Sequence, residues 1–435
     1  MLVFTSLTVA ATADAANWLM LQGVEPKANI GKATLWGFIQ PAWAQTDGSV
    51  LRAGGWSGQK AVFNQLAPML DRHAGFNINR ARLGVRGANI PDADQVNYFV
   101  LAEFGNNGIT RAGDGRAKLV DASMTFNQIH GARVRIGQFK YPGAEEGLQA
   151  VQLNDYINPT NVTDQLLNER FFDSDGTDTA TNASDRNAPN GSVGAFRDIG
   201  VQVFDAFNVN GWEHSYAVML GNGNGIDRGD NNSSKELYLY GSSELLMGGE
   251  PGARRNGLKL FIWHQNGKRE LRAGAAQTAS TFDRSRQGLG VSFHKDKYRV
   301  VSELISGDGV IPNGTDGSAV AGALNNAGTR LSSFNVLTDN KARGWYLDLG
   351  YTFMPRWEID LRYDALDRGT ATAATERDYR TTTLGVQYFF DKNIRLTLDQ
   401  EFRSAKAPNL TASDPVNVIL DGTDNRTALQ LTAVF

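Results

Sequence analysis

The chain has 435 residues, with 43 Lys and Arg against 46 Asp and Glu, and no cysteine. A formal charge of −3 removes the basic signature of a nucleic-acid binder, and the absence of Cys excludes disulfides, thiolate zinc sites, iron–sulfur clusters and covalently attached haem. Past the first dozen residues the longest uncharged stretch is Ala33–Thr46, too short for a membrane helix of about 20 apolar residues, but such a scan does not detect membrane strands, whose alternation averages out.

Leu2 to Ala11 is a short apolar run, and Ala13-Asp14-Ala15 has the pattern of a signal-peptide cleavage site with the cut before Ala16. Residues 1–15 therefore read as an export signal and 16–435 as a single domain. Export without Cys suits a bacterial periplasmic or outer-membrane protein better than a disulfide-stapled secreted one.

From there period-2 alternation predicts sixteen strands: 33–45, 74–89, 96–105, 117–129, 132–142, 198–208, 211–221, 235–246, 257–267, 284–295, 298–306, 342–354, 357–367, 378–391, 394–404 and 426–435. The connections after even strands are short, as at His130-Gly131, Val209-Asn210 and Met354-Pro355-Arg356. Those after odd strands are generally long, the largest being 46–73, 143–197, 306–341 and 404–425. This sorting, with an even strand count, predicts an all-β transmembrane antiparallel barrel with both termini on the short-turn side.

Trp357 to Asp364 shows the alternation, apolar at odd positions and charged at even ones. Aromatic residues mark the strand ends: Phe126, Phe293, Phe353, Phe390 and Phe435 close strands beside the short-turn side, and Tyr298 and Trp357 open the next ones. Trp345 and Phe353 lie eight residues apart on one face, which at about 3.3 Å per residue and a tilt of about 40° spans on the order of 20 Å of bilayer. These positions predict two interfacial aromatic rows.

A sixteen-stranded barrel leaves an aqueous channel, and the longest connection, 143–197, is the candidate to narrow it. Asn158-Pro159 reads as an N-cap and first helical residue, with Leu166, Leu167 and Phe171 at helical spacing. Residues 143–172 are expected to fold into the lumen and 173–195 to lie outside. The candidate pore-lining residues are Arg80, Arg82, Arg86, Glu103, Asp121, Arg133 and Arg135 on one wall, and Arg362 and Arg395 on the other. Glu145, Glu146 and Asp155 lie on the loop between them. The inferred lumen charges on the strands balance, nine of each sign, so the acidic loop predicts a weak lean toward cations.

Asn79-Arg80-Ala81-Arg82-Leu83 resembles the arginine-rich second strand of the phosphate-selective porin O/P family. Gly137-Gln138-Phe139-Lys140-Tyr141-Pro142 resembles the strand entering that family's constriction loop, and Asn168-Glu169-Arg170-Phe171 the end of the loop helix. Arg197-Asp198-Ile199-Gly200 and Gly221-Asn222-Gly223-Asn224-Gly225 are similar to later landmarks. The resemblance implies a trimeric outer-membrane porin with strand-2 arginines at the constriction. The chain departs from it where Asn79-Arg80 stands in place of paired arginines.

The reading is thus a general porin for ions and small hydrophilic solutes, with outer-membrane lipid as its surroundings and no cofactor. An anion- or phosphate-selective porin and a scaffold or receptor barrel are the alternatives. A barrel hydrolase is disfavoured because His214 and Ser215, being adjacent, point to opposite faces of a strand. Asn224, Asp227 and Asp230 have the chemistry of a weak Ca²⁺ site, which ordinary turn chemistry also explains.

Overall fold

A computed structural model describes residues 17–21, 33–46, 50–59, 74–88, 95–107, 109–110, 117–168, 194–226, 230, 232–249, 252, 254–273, 278–313, 325–329 and 336–435. The expectations for 1–15, 91–94, 169–193 and Asp227 lie outside these residues.

The described strands are β1 (Ala33–Thr46), β2 (Ala74–Gly87), β3 (Val96–Glu103), β4 (Lys118–Phe126), β5 (Arg133–Lys140), β6 (Arg197–Val209), β7 (Trp212–Gly221), β8 (Glu236–Leu246) and β9 (Gly257–Ala273). They continue as β10 (Thr278–Lys295), β11 (Tyr298–Asp308), β12 (Ile311–Pro312), β13 (Val336–Leu337), β14 (Lys341–Met354), β15 (Trp357–Arg368), β16 (Arg377–Phe389), β17 (Ile394–Lys406) and β18 (Arg426–Val434). All but β12 and β13 join one closed antiparallel barrel of sixteen strands, each beside its neighbour in sequence, with β18 returning to β1. The pair β12–β13 is a small ribbon inside a long connection.

The barrel is inside-out relative to a water-soluble protein. On β15 the charged Glu358, Asp360, Arg362 and Asp364 are buried, whereas Ile359 and Leu361 are 45% and 42% exposed. Leu260, Ile262, Leu289, Leu304 and Leu398 repeat the pattern around the circumference. The expected aromatic rows form as ring contacts along the short-turn edge: Tyr298 on Tyr351, Trp357 on Tyr388 and Tyr388 on Phe390, at centroid distances of 5.2, 4.7 and 4.8 Å. Trp345 meets Tyr363 at 5.4 Å nearer the other edge.

Local chemistry explains the turns and the departures from the expected boundaries. The β6–β7 hairpin turns on Asn210-Gly211, both with positive φ (50° and 83°), as a two-residue primed turn requires. Pro41, which cannot donate to the ladder, sits where the β1–β2 register shifts. The β9–β10 hairpin runs to Ala273 and Thr278, longer than the alternation alone suggested. The connection 404–425 contains a short helix, Pro415–Leu420, capped by the Asp414 side chain accepting from the Val416 amide.

The β1–β18 seam that closes the barrel runs from Thr46 opposite Arg426 to Phe38 opposite Val434 and extends to Phe435. Phe435 exchanges two backbone hydrogen bonds with Gly37, at 2.8 and 2.9 Å. A Cβ at Gly37 would stand 2.5 Å from the Arg82 carbonyl oxygen and 2.8 Å from the Phe435 ring. Gly37→Val should therefore weaken the β1–β18 seam by about 1–3 kcal/mol. The folded fraction on an unheated gel should fall, and a wild-type folded fraction would show that the seam tolerates the side chain.

Candidate functional site in the barrel lumen

Residues 144–168 leave the end of β5 and meet the wall on the other side. In the ring of strands β15 stands eight places from β5 in either direction, so contacts between this segment and β15 require it to cross the interior. Three short elements make the crossing: α2 (Glu145–Leu148), a 3-10 turn (Val151–Leu153) and α3 (Asn161–Leu167). The helix cap is Thr160, whose hydroxyl accepts from the Thr163 amide at 3.3 Å, and not Asn158 as the Asn-Pro pair suggested. Asn158 instead donates to Glu401 at 2.8 Å. Leu166 and Leu167 are buried, and α3 packs on β14, β15 and β16.

Wall carboxylates hold the crossing segment through its backbone. The Ile157 amide donates to Asp399 (2.7 Å), the Asn161 amide and side chain to Asp364 (2.9 and 2.8 Å), and the Glu145 amide to Glu303 (3.2 Å). Wall cations take its carbonyls: Arg395 donates to Gln152 and Asn154 (3.2 and 2.6 Å), and Arg286 to Leu166 (3.1 Å). A segment without long strand pairing is thus fixed by charge-assisted bonds to rigid strands.

Glu145, Glu146 and Asp155 on the segment each find a cation. Glu145 is paired with Lys259 and accepts from the Trp18 indole at 3.0 Å. Glu146 holds Arg362 (3.3 Å) and the Thr160 hydroxyl (2.8 Å). Asp155 bridges Arg254 (2.5 Å) and Arg299 (3.1 Å). Arg299 in turn reaches Asp348 (2.7 Å), Asp360 (2.5 Å) and Glu358 (3.4 Å), so one guanidinium serves four carboxylates. Burial pushes the Asp155 carboxyl up, but Arg299, Arg254 and Arg395 outweigh it and hold the group below the usual carboxylate range. Its contribution is present above the unfolded value and is lost only as pH falls through the lower folded one, so this anchor survives mild acid.

The first wall is arranged differently from the expectation of basic residues facing the acidic loop. Arg82 is neutralised by Glu103 at 2.8 Å, and Arg80 donates to Gln40 at 3.0 Å. Asp121 pairs with Arg197 (3.0 Å), and Arg133 with Asp205. Arg135 is enclosed by the rings of Phe139 and Phe204, 5.4 and 4.3 Å from their centroids. Arg86 stacks on Phe99 at 5.9 Å. The loop acids meet β9, β11 and β15 instead, because the crossing carries them to the far wall.

Arg299 was one of the nine basic lumen positions inferred on the strands, but two partners of the loop acids were not. Lys259 lies mid-alternation on β9, and Arg254 lies in the turn between β8 and β9. That turn was the longest of the short-side connections, and the Arg254-Arg255 pair within it was the available signal. Asp230 is paired with Lys235, and among the described residues no group of three potential metal ligands occurs.

A lumen cavity of about 360 Å³ lies between the crossing segment and the short-turn end. Its lining includes Trp18, Glu145, Tyr156, Asp348, Arg362 and Arg395. Several polar atoms around it have no protein partner: Glu145 Oε2, Tyr156 OH, Asp348 Oδ1, Arg362 Nε and Arg395 Nε. Donors and acceptors of both charge signs thus face one space.

No family model and no curated protein matches the chain. Solved structures do. A complex of Salmonella typhi OmpF with daunomycin aligns at TM-score 0.54 and 12% identity, over 95% of this chain and 100% of that one. An anion-selective porin from Comamonas acidovorans aligns at 0.51 and 13%, over 93% and 99%. The outer membrane channel DcaP of Acinetobacter baumannii aligns at 0.50 and 13%, over 95% and 99%. The fold is that of bacterial outer-membrane porins. This porin-fold chain devotes much of its interior to the paired charges centred on Arg299.

Removing one member of a buried ion network strands its partners, at a cost of roughly 3–5 kcal/mol. Arg299→Met should therefore lower the denaturant midpoint of the barrel markedly. Arg343→Met, which removes an outward side chain 76% exposed, should hardly move it. Equal midpoints for the two variants would contradict this account of the network.

Proposed function

We propose that the chain is an outer-membrane porin, through which ions and small hydrophilic solutes diffuse along a water-filled lumen narrowed by residues 144–168. The observation that carries this reading is the inside-out closed barrel crossed by that segment. The apolar outer face then meets lipid, the short turns and both termini face the periplasm, and the long connections face outward. Diffusion needs no chemical step, and we read the protein as a conduit and not an enzyme. His214 and Ser215 take separate partners: His214 bonds Ser243 at 2.8 Å, while the Asn17 side chain donates to Ser215 at 2.6 Å.

The charge inventory argues for weak selectivity. The nine-against-nine count omitted basic residues such as Lys259, Arg284, Arg286 and Arg426, and acidic ones such as Glu236 and Glu244. Among the described residues, the strands bury fourteen basic and thirteen acidic side chains. Arg254 and Arg255 at the short-turn mouth further offset the loop acids. We therefore infer a general diffusion porin of nearly even ion preference, with the loop acids leaving at most a small lean to cations.

In a planar bilayer, deleting 144–168 should raise single-channel conductance severalfold, and the intact channel should show a small reversal potential across a salt gradient. Arg82→Glu should push that potential toward cations. A strong anion preference, or block of chloride current by micromolar phosphate, would favour the phosphate-selective reading instead.

We also propose a homotrimer of threefold symmetry, on the resemblance noted above. Native mass spectrometry in detergent should give three chains per particle, and monomer alone would contradict it.

A further inference from the structure

Residues 17–21 lie inside the barrel, away from the ladder of strands. The helical turn α1 (Trp18–Leu21) buries Trp18 and Leu19 to 6% and 2% exposure, in one apolar cluster with Phe139, Phe204 and Ala217. Polar contacts fix the segment from several sides. The Trp18 indole donates to Glu145 at 3.0 Å, on the crossing segment. The Asn17 side-chain NH2 donates to Glu213 and Ser215 on β7, at 3.0 and 2.6 Å. Arg135 of β5 donates to the Leu19 carbonyl (3.3 Å), and Arg86 of β2 to the Leu21 carbonyl (3.2 Å).

This set has the form of a peptide-binding site. Two arginines read main-chain carbonyls, which any peptide offers. An apolar hollow takes a large side chain, and a carboxylate accepts from its indole. The same contacts take up bonding capacity that two side chains hold beyond their contacts to the barrel wall. Arg135 is buried between two rings, is bonded to no carboxylate among the described residues, and donates both to Thr125 of β4 and to the Leu19 carbonyl, each at 3.3 Å. Glu145 Oε1, already paired with Lys259, also accepts from the Trp18 indole.

We propose that the lumen wall formed by β2, β5 and β7 with Glu145 is a binding site for a short peptide bearing a large apolar or aromatic residue, and that residues 17–21 are its tethered occupant, narrowing the pore. Because Trp18 also lines the lumen cavity, leaving the site would widen the passage beside the crossing segment. The inference rests on the reading of the lumen as a solute path.

The test compares single-channel conductance of the full chain, a variant lacking 17–21, and Trp18→Ala. The substitution keeps the backbone and covers the case in which the deletion fails to fold. Both variants should conduct two- to fivefold more than the full chain. The free pentapeptide Asn-Trp-Leu-Met-Leu, added on the short-turn side, should block the deletion variant at millimolar concentration and leave the full chain unaffected. Unchanged conductance in both variants overturns the proposal, including the case where only thermal stability falls, as a purely structural role requires. Raised conductance without peptide block also overturns it. A full chain that passes no current fails the channel reading itself, which is a separate outcome.

Discussion

The hydrogen-bond seam between β1 and β18 is the constraint on which the rest of the architecture depends. In hydrocarbon there is no water to satisfy backbone N–H and C=O groups, so a sheet can cross only if it has no edges. Sixteen strands satisfy every ladder once the last lies beside the first, and Gly37 leaves room for Phe435 to complete that seam. Closure turns one face of every strand outward and the other toward the lumen. Alternation along each strand then has to put apolar groups outward and polar ones inward, and β15 does so residue by residue.

That inversion creates the second problem, an interior full of charge. A wide lumen could leave its charges in water, but here many are buried and answered by protein groups. The crossing segment supplies much of the answer. Its carbonyls take Arg286 and Arg395, its amides meet Asp364 and Asp399, and its acids bridge Arg254, Arg299 and Arg362. The segment is held because the wall needs it and the wall is satisfied because the segment is there. Loop conformation and lumen electrostatics are therefore one energetic unit, and a change in either is felt in the other.

The strands were legible because a half-buried strand has a period of two whichever solvent covers its apolar face. The sign of the inversion was legible only from the connections and the aromatic row at Phe353, Trp357 and Phe390. Side-chain partners were far less accessible. Arg82 and Glu103 are on adjacent strands, and their pairing follows from the register. Asp155 with Arg299 cannot be read this way, since the two are joined through a chord across the lumen. The cap at Thr160 was missed because Asn-Pro matches the same local rule, and the choice between them was settled by Glu146, 14 residues upstream, and by Glu401, far along the chain on β17. Trp18 lies just beyond a segment read as a removable signal, so nothing local marked it as part of the interior.

These elements fall into a hierarchy of strength. The ladder is continuous and holds the wall without the lumen contents. The crossing segment is held by charge-assisted bonds distributed over β9 to β17, so no single loss frees it. Residues 17–21 are held by a few hydrogen bonds and two apolar side chains, with no ladder and no ion pair of their own. Local opening begins where buried contacts are fewest. On the porin reading proposed above, the weakest inserted element is therefore the one whose release would widen the passage, while the wall and the crossing segment keep their form.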